Sequence, residues 1–216
     1  MSRLLTKHVT LAALAALALA ASVSCATSKR AWRSSLPPWV FEKLAPHLSR
    51  DDVQVTLHTT HYAVEGNSYD AINTELAKHG PDLGNWAVGS CRWQVLPQWR
   101  IEQAAGACLL HELRVDVKID ITMPRWQDTG NKLIKKRWAR FYRQLQKHEH
   151  GHARVGVHAG EEVFDALTAL SSTTDCERLS REAERRYTRI IAAHHAIDDE
   201  YDRASQHGGR QGVRFP

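Results

Sequence analysis

The sequence predicts an α+β domain in which a small antiparallel sheet packs against a long helix and a C-terminal helix, in the order β-α-β-β-α-α. Three patterns carry that expectation. Residues 113–121 alternate strictly between apolar and charged, residues 134–159 carry an apolar stripe of helical period, and a second helical stripe begins near residue 179. No segment of the chain repeats another.

The first 26 residues stand apart from this domain. Arg3 and Lys7 give a basic start, Val9–Ala21 is an uncharged alanine-rich run, and Ser22-Val23-Ser24-Cys25-Ala26 closes it with small residues. The apolar run is too short to span a bilayer. Residues 1–26 are therefore expected to be a secretory signal peptide, and the mature chain to be periplasmic or secreted with no stable membrane span. Ser24 and Ala26 occupy the two positions a signal peptidase reads. Cys25 offers an alternative, a lipid anchor, although Ser22 stands where such sites usually carry an aliphatic residue. Residues 27–50, with Ser34-Ser35, Pro37-Pro38 and Pro46, read as a linker or irregular arm, which leaves 51–216 as the folded domain.

Within that domain each element has its own signature. Val53, Val55 and Leu57 alternate with Gln54, Thr56 and His58, a half-buried strand that can extend through Tyr62 and Val64. Gly66-Asn67 makes a turn, Ser68 caps a helix with Ile72 and Leu76 on one face, and Gly80-Pro81 stops it. Two longer strands are expected at Trp86–Ile101 and Cys108–Met123, joined by a hairpin loop at Ala104-Ala105-Gly106, with Pro124 ending the second. In that second strand Leu113, Val115, Val117, Ile119 and Ile121 face one way and Arg114, Asp116, Lys118 and Asp120 the other. Such alternation marks an antiparallel strand that covers a core on one side. A last helix from about Asp175 to about Tyr201 turns Leu179, Ala183, Tyr187, Ile190 and Ile191 inward, and Gly208-Gly209 and Gly212 make the tail irregular.

The long helix carries the chemistry. Ile134, Trp138, Phe141, Leu145, His148, His152, Val155 and Ala159 fall on one continuous stripe. Inside it lies His148-Glu149-His150-Gly151-His152, an H-E-x-x-H motif. Residues four apart on a helix point the same way, with roughly 5–6 Å between Cβ atoms, so His148 and His152 can share one Zn2+. Glu149 sits one residue round, where it can reach a metal-activated water as general base without binding the metal. Zinc lowers the pKa of such a water to about 7. Hydrolysis of a peptide bond in a peptide or protein substrate is the reaction this pattern predicts, with Glu149 catalytic. A small sheet against such a helix is a minimal zincin-like arrangement. His150 points off the stripe and reads as a surface residue.

A catalytic zinc needs a third protein ligand and leaves its fourth place to water. His158 stands where the longer pattern H-E-x-x-H-x-x-G-x-x-H has its third histidine, but Val155 holds the place of that pattern's glycine. On an unbroken helix His158 faces away from the stripe. Glu161 and Glu162 lie too close along the same helix. Asp198, Asp202 and His207 remain as candidates towards the C-terminus.

Composition bounds the alternatives. With 43% hydrophobic and 25% charged residues the chain is neither disordered nor collagen-like. Cys91, Cys108 and Cys176 remain after export and allow one disulfide with one thiol left over, and no Cys-x-x-Cys unit suggests a zinc knuckle. The formal charge of +5 is scattered, densest at Lys135, Lys136, Arg137, Arg140 and Arg143 on a helix face. That face reads as a solvated surface with loose attraction to anionic envelope polymers, and nucleic acid is not an expected partner.

Several pieces of the chain resemble a bacterial family of predicted secreted zinc-dependent proteases, long catalogued as a domain of unknown function. They are Tyr62-Ala63-Val64-Glu65-Gly66, Met123-Pro124-Arg125-Trp126 at the end of the Cys108 strand, and Trp138 to Phe141. They continue with the H-E-x-x-H motif itself, Cys176, and Tyr201-Asp202-Arg203-Ala204-Ser205-Gln206-His207-Gly208. Ser205 departs from the threonine of that tail motif. The resemblance implies metal ligation by His148 and His152, catalysis by Glu149 and a functional reason for the tail. It also implies a Cys108–Cys176 disulfide that fixes the tail relative to the motif helix. On that basis His207 is expected as third ligand, with Asp202 as a carboxylate orienting a histidine and His158 as the alternative ligand. Two other readings stand beside the peptidase: a non-enzymatic envelope protein with a structural metal or none, and a zinc amidase acting on cell-wall peptides.

Overall fold

In the computed structural model the elements follow the expected order: β1 (Val53–Val64), α1 (Tyr69–His79), β2 (Ser90–Ala104), β3 (Ala107–Trp126), α2 (Lys132–Thr168) and α3 (Cys176–Ser205). Short 3-10 turns occur at Pro38–Phe41 and Gly209–Gln211. The structure describes residues 36–41, 52–81, 87–127 and 131–215. The expected signal peptide, most of the expected arm and Trp86 lie outside these residues. All the named elements fall in the unit Pro38–Pro216. Among the described residues, no helix is long and apolar enough to cross a membrane.

The fold is α+β as expected, but its sheet is mixed rather than antiparallel. β3 lies in the centre of the order β1-β3-β2. β2 and β3 form the expected antiparallel hairpin, closed at Ala105 and Gly106, whose φ values of 51° and 79° are those of a tight primed turn. β1 instead pairs with β3 in parallel, from Val53↔Val115 to Val64↔Trp126. The cause lies in the connection. α1 joins β1 to β2 across a gap one strand wide, and the hairpin brings β3 back into that gap. Alternation along β3 reports which faces it shows, and carries no information on the direction of its neighbour.

Two local expectations change with this topology. Pro124 does not end β3, which continues to Trp126; pairing with β2 stops at Ser90↔Thr122, and beyond it β3 has a free edge, where proline is tolerated. β1 is itself an edge strand, so only Val53 and Val64 are buried and Leu57 is 41% exposed. The core lies under β3, where Val115, Val117, Ile119, Ile121 and Met123 are all buried.

α2 crosses that buried face as the central element. Its stripe is buried as expected at Ile134, Phe141, Leu145, His148, His152, Val155 and Ala159, with Trp138 half-buried. Past His148 the helix is enclosed on further sides, because glycines let its neighbours approach. A Cβ on Gly156 would lie 2.6 Å from Trp93 Cβ of β2. α1 keeps the expected cap, Ser68 Oγ accepting from Ala71 N, and Gly80 as C-cap. α3 runs past Tyr201 to Ser205 before Gln206 caps it in the left-handed region, φ 54°. Asp198, Tyr201 and Asp202 are therefore helical and share the face turned to α2. Cys108 and Cys176 form a disulfide joining the start of β3 to the start of α3, and Cys91 is free.

Candidate metal centre

Two pairs of residues at i,i+4 spacing meet across the α2–α3 contact: His148 and His152 on α2, Asp198 and Asp202 on α3. His148 Nε2 lies 3.3 Å from His152 Nε2. Asp202 Oδ1 lies 3.1 Å from the first and 3.2 Å from the second. These atoms form a nearly equilateral triangle, and the three residues group as a cluster able to hold a metal ion. Tetrahedral zinc with bonds of about 2.0–2.1 Å places its donors about 3.3–3.4 Å apart. Asp202 Oδ1 is also buried with no hydrogen bond of acceptable geometry, although both nitrogens lie beside it. Two imidazole nitrogens and a carboxylate oxygen converging this way suit a divalent cation.

The rest of the pocket holds those donors in place. His152 Nδ1 donates to Asp198 Oδ1 at 2.8 Å, and Asp198 Oδ2 accepts from Trp93 Nε1 at 3.1 Å. His148 Nδ1 pairs with Gln211 Oε1 at 3.0 Å, while Gln211 Nε2 donates to the Tyr201 hydroxyl at 2.8 Å. That hydroxyl donates in turn to the carbonyl of His148 at 3.3 Å. With each Nδ1 occupied, each Nε2 faces the centre; outer partners of this kind fix the tautomer and orientation of ligating histidines. The Tyr201 ring, fully buried, stacks on His148 with centroids 5.1 Å apart.

Charge in the pocket is arranged for a cation. Burial lowers the pKa of His148. Burial would lower that of His152 too, but its hydrogen bond to Asp198, the adjacent Asp202 oxygen and the negative charges of both carboxylates raise it to about 10. Burial opposes ionisation of Asp202, yet the two imidazoles beside it hold its carboxyl well below the usual carboxylate range. In the metal-free protein a proton on His152 thus supplies the positive charge that a metal would bring. Glu149 is different. It is 2% exposed and, among the described residues, has no hydrogen-bond or ion-pair partner. Burial, with the charges of Asp202 and Asp198, pushes its carboxyl up to about 7, against the pull of His152.

Beside the triangle opens a cavity of roughly 690 Å³, lined by Glu149, Cys91, Leu145, His207 and Phe215 among others. The backbone at Gly89, just before β2, forms its wall; a Cβ there would lie 2.8 Å from Glu149 Oε1.

The structure thus gathers His148, Glu149, His152, Asp198 and Asp202. It places His207 at the rim, 62% exposed, with Nδ1 3.3 Å from Asp202 Oδ2. Of the expected third ligand His207 and its orienting carboxylate Asp202, it is Asp202 whose Oδ1 lies beside both Nε2 atoms, and His207 meets the other oxygen of that carboxylate. His158 lies apart, its ring tilted against Trp39 with centroids 4.0 Å apart and paired with Glu161 at 3.3 Å. Sequence reasoning missed Gln211, Tyr201 and Trp93. Of these only Tyr201 left a signal, as part of the tail motif. Ser205 accepts from Gly208 N at 3.0 Å and so turns the chain that returns Gln211 to His148.

No curated protein and no solved structure matches this chain. The family model described as "Bacterial protein of unknown function (DUF922)" matches residues 59–208, a span holding every member of the triangle together with Glu149, Asp198 and His207. The chain belongs to that family of bacterial proteins of unknown function.

Proposed function

We propose that this protein is an exported zinc-dependent peptidase, with His148, His152 and Asp202 as zinc ligands and Glu149 as general base. One observation carries the reading: three converging donors beside an open cavity that also receives Glu149. A structural zinc site is closed by four protein ligands, whereas a catalytic one keeps a position free. Zinc held there would activate a water and polarise the carbonyl under attack. Glu149 contributes a carboxylate poised near neutrality, suited to accept a proton at an Oε atom and return it to the leaving amine. Asp198 and Gln211 keep both imidazoles aimed at the centre. His207, at the rim and against Asp202, orients that carboxylate.

The test is hydrolysis of a quenched-fluorescence peptide library by the zinc-loaded full chain and by its Glu149→Gln variant. The reading expects cleavage by the former and a loss of about 10²–10⁴-fold in the latter at unchanged zinc content. Equal cleavage by both would remove Glu149 from the mechanism, and cleavage by neither would leave the peptidase reading without support.

A further inference from the structure

The first half of α2 is built against the rules that stabilise helices. Seven of residues 132–148 are Lys or Arg and none is Asp or Glu. The first turn has no acidic residue, so cations crowd the positive end of the helix dipole. Lys136, Arg140, Arg143 and Lys147 follow one another at helical spacing on a single exposed face, where like charges repel. None of these four makes an ion pair among the described residues, and neither does Arg214, which the tail brings to the same face. Arg137 stands next to them, its guanidinium over the Tyr69 ring at 5.3 Å. Lys136, Arg140, Arg143, Lys147 and Arg214 thus bring repulsion without a compensating ion pair among the described residues, and an anionic ligand would offset it.

The patch is also shaped. Lys136, Arg137, Arg140, Arg143 and Arg214 line a groove of roughly 590 Å³ in which Leu133, 54% exposed, presents apolar surface and the buried Phe141 lies at the base. Phe141 and Arg214 line both this groove and the metal cavity, so the two sites are neighbours. We infer that the substrate is an acidic polypeptide, whose carboxylate-bearing segment lies along this groove while the bond to be cut lies at the triangle. The inference rests on the peptidase reading and adds the substrate class to it. An apolar surface between cations suits a chain alternating carboxylate with apolar side chains. A polyphosphate offers it no apolar group, and a lipid headgroup surface is too flat to enter a groove.

Two measurements test this. In the first, binding of fluorescein-labelled oligoglutamate to the metal-free full chain is followed by anisotropy, so that neither cleavage nor metal coordination contributes. The expected result is salt-sensitive binding, weakened at least about tenfold in R140E/R143E and less in R140Q/R143Q, but unchanged in K118E on the far side of the sheet. Unchanged binding in R140E/R143E, with its unfolding temperature preserved, would overturn the inference. So would preferential binding of polyphosphate or of phosphatidylglycerol vesicles. In the second, the zinc-loaded chain cleaves a peptide library. Cleavage concentrated beside acidic segments and lost with the arginines supports the inference. Cleavage indifferent to both overturns it while the peptidase reading stands. Arginine-dependent binding with no cleavage of any peptide overturns the peptidase reading and the substrate role together.

Discussion

Gly151→Ala puts the packing argument for the metal centre at risk in a single substitution. In an exposed helix interior alanine is favoured over glycine by about 1 kcal/mol. At residue 151 the added Cβ would lie 2.5 Å from Tyr201 Cε1 and closer still to Cζ and Oη. The obstacle cannot swing aside. Tyr201 is fully buried, stacked on His148, and held through its hydroxyl by Gln211 at 2.8 Å and by the His148 carbonyl at 3.3 Å. Overpacking of this kind costs about 1–3 kcal/mol, and a ring pinned at both ends places it at the upper end. The balance is a loss of about 2 kcal/mol, which for a domain of this size lowers the unfolding temperature by about 4–8 °C. Thermal unfolding of the metal-free protein followed by circular dichroism reads it directly. The shift also displaces Asp202, next along α3, so zinc affinity falls in the same variant. An unfolding temperature equal to or above that of the parent would refute the close α2–α3 approach on which the triangle depends.

Three further outcomes follow from the same geometry. The Cys108–Cys176 bridge closes a separation of 68 residues, so reduction should lower unfolding stability by about 4 kcal/mol in a denaturant titration with and without reductant; a loss under about 1 kcal/mol would mean the start of α3 is held by other contacts. Asp198→Asn removes the anion from His152 Nδ1 and should weaken zinc binding about 10–100-fold in competition with a chromogenic chelator, whereas unchanged affinity would count against an orienting role. Because His152 in the metal-free protein stays protonated up to about pH 10, zinc must expel that proton at neutral pH. Affinity should therefore rise about tenfold per pH unit around neutrality, with about one proton released, measurable by calorimetry in two buffers of different ionisation enthalpy. Heats independent of the buffer would contradict it.

Much of the site was legible because it lies within one element. His148 and His152 continue the stripe set by Leu145 and Val155, so their shared direction and burial could be read from spacing alone. The third donor was harder because it depends on a second helix. Asp198 and Asp202 are also an i,i+4 pair, but the glycines at 208, 209 and 212 made the region look irregular too early, and α3 in fact stays helical through Ser205. Once Asp202 is helical its carboxylate turns towards α2, and His207, beyond the left-handed Gln206, is carried to the rim. Gln211 reaches His148 only because Ser205 and Gly208 fold the tail back, a long-range event with no local signature. In the sheet, alternation found β3 and its buried face, but not that β1 runs parallel to it or that the middle of β1 is left uncovered.

The most direct test of the central claim is zinc content of the purified full chain by elemental mass spectrometry, beside Asp202→Ala and His207→Ala variants. The geometry predicts about one zinc per chain in the parent, retained in the His207 variant and lost in the Asp202 variant. No zinc in the parent after supply and washing, or zinc retained without Asp202, would contradict the triangle as a metal centre.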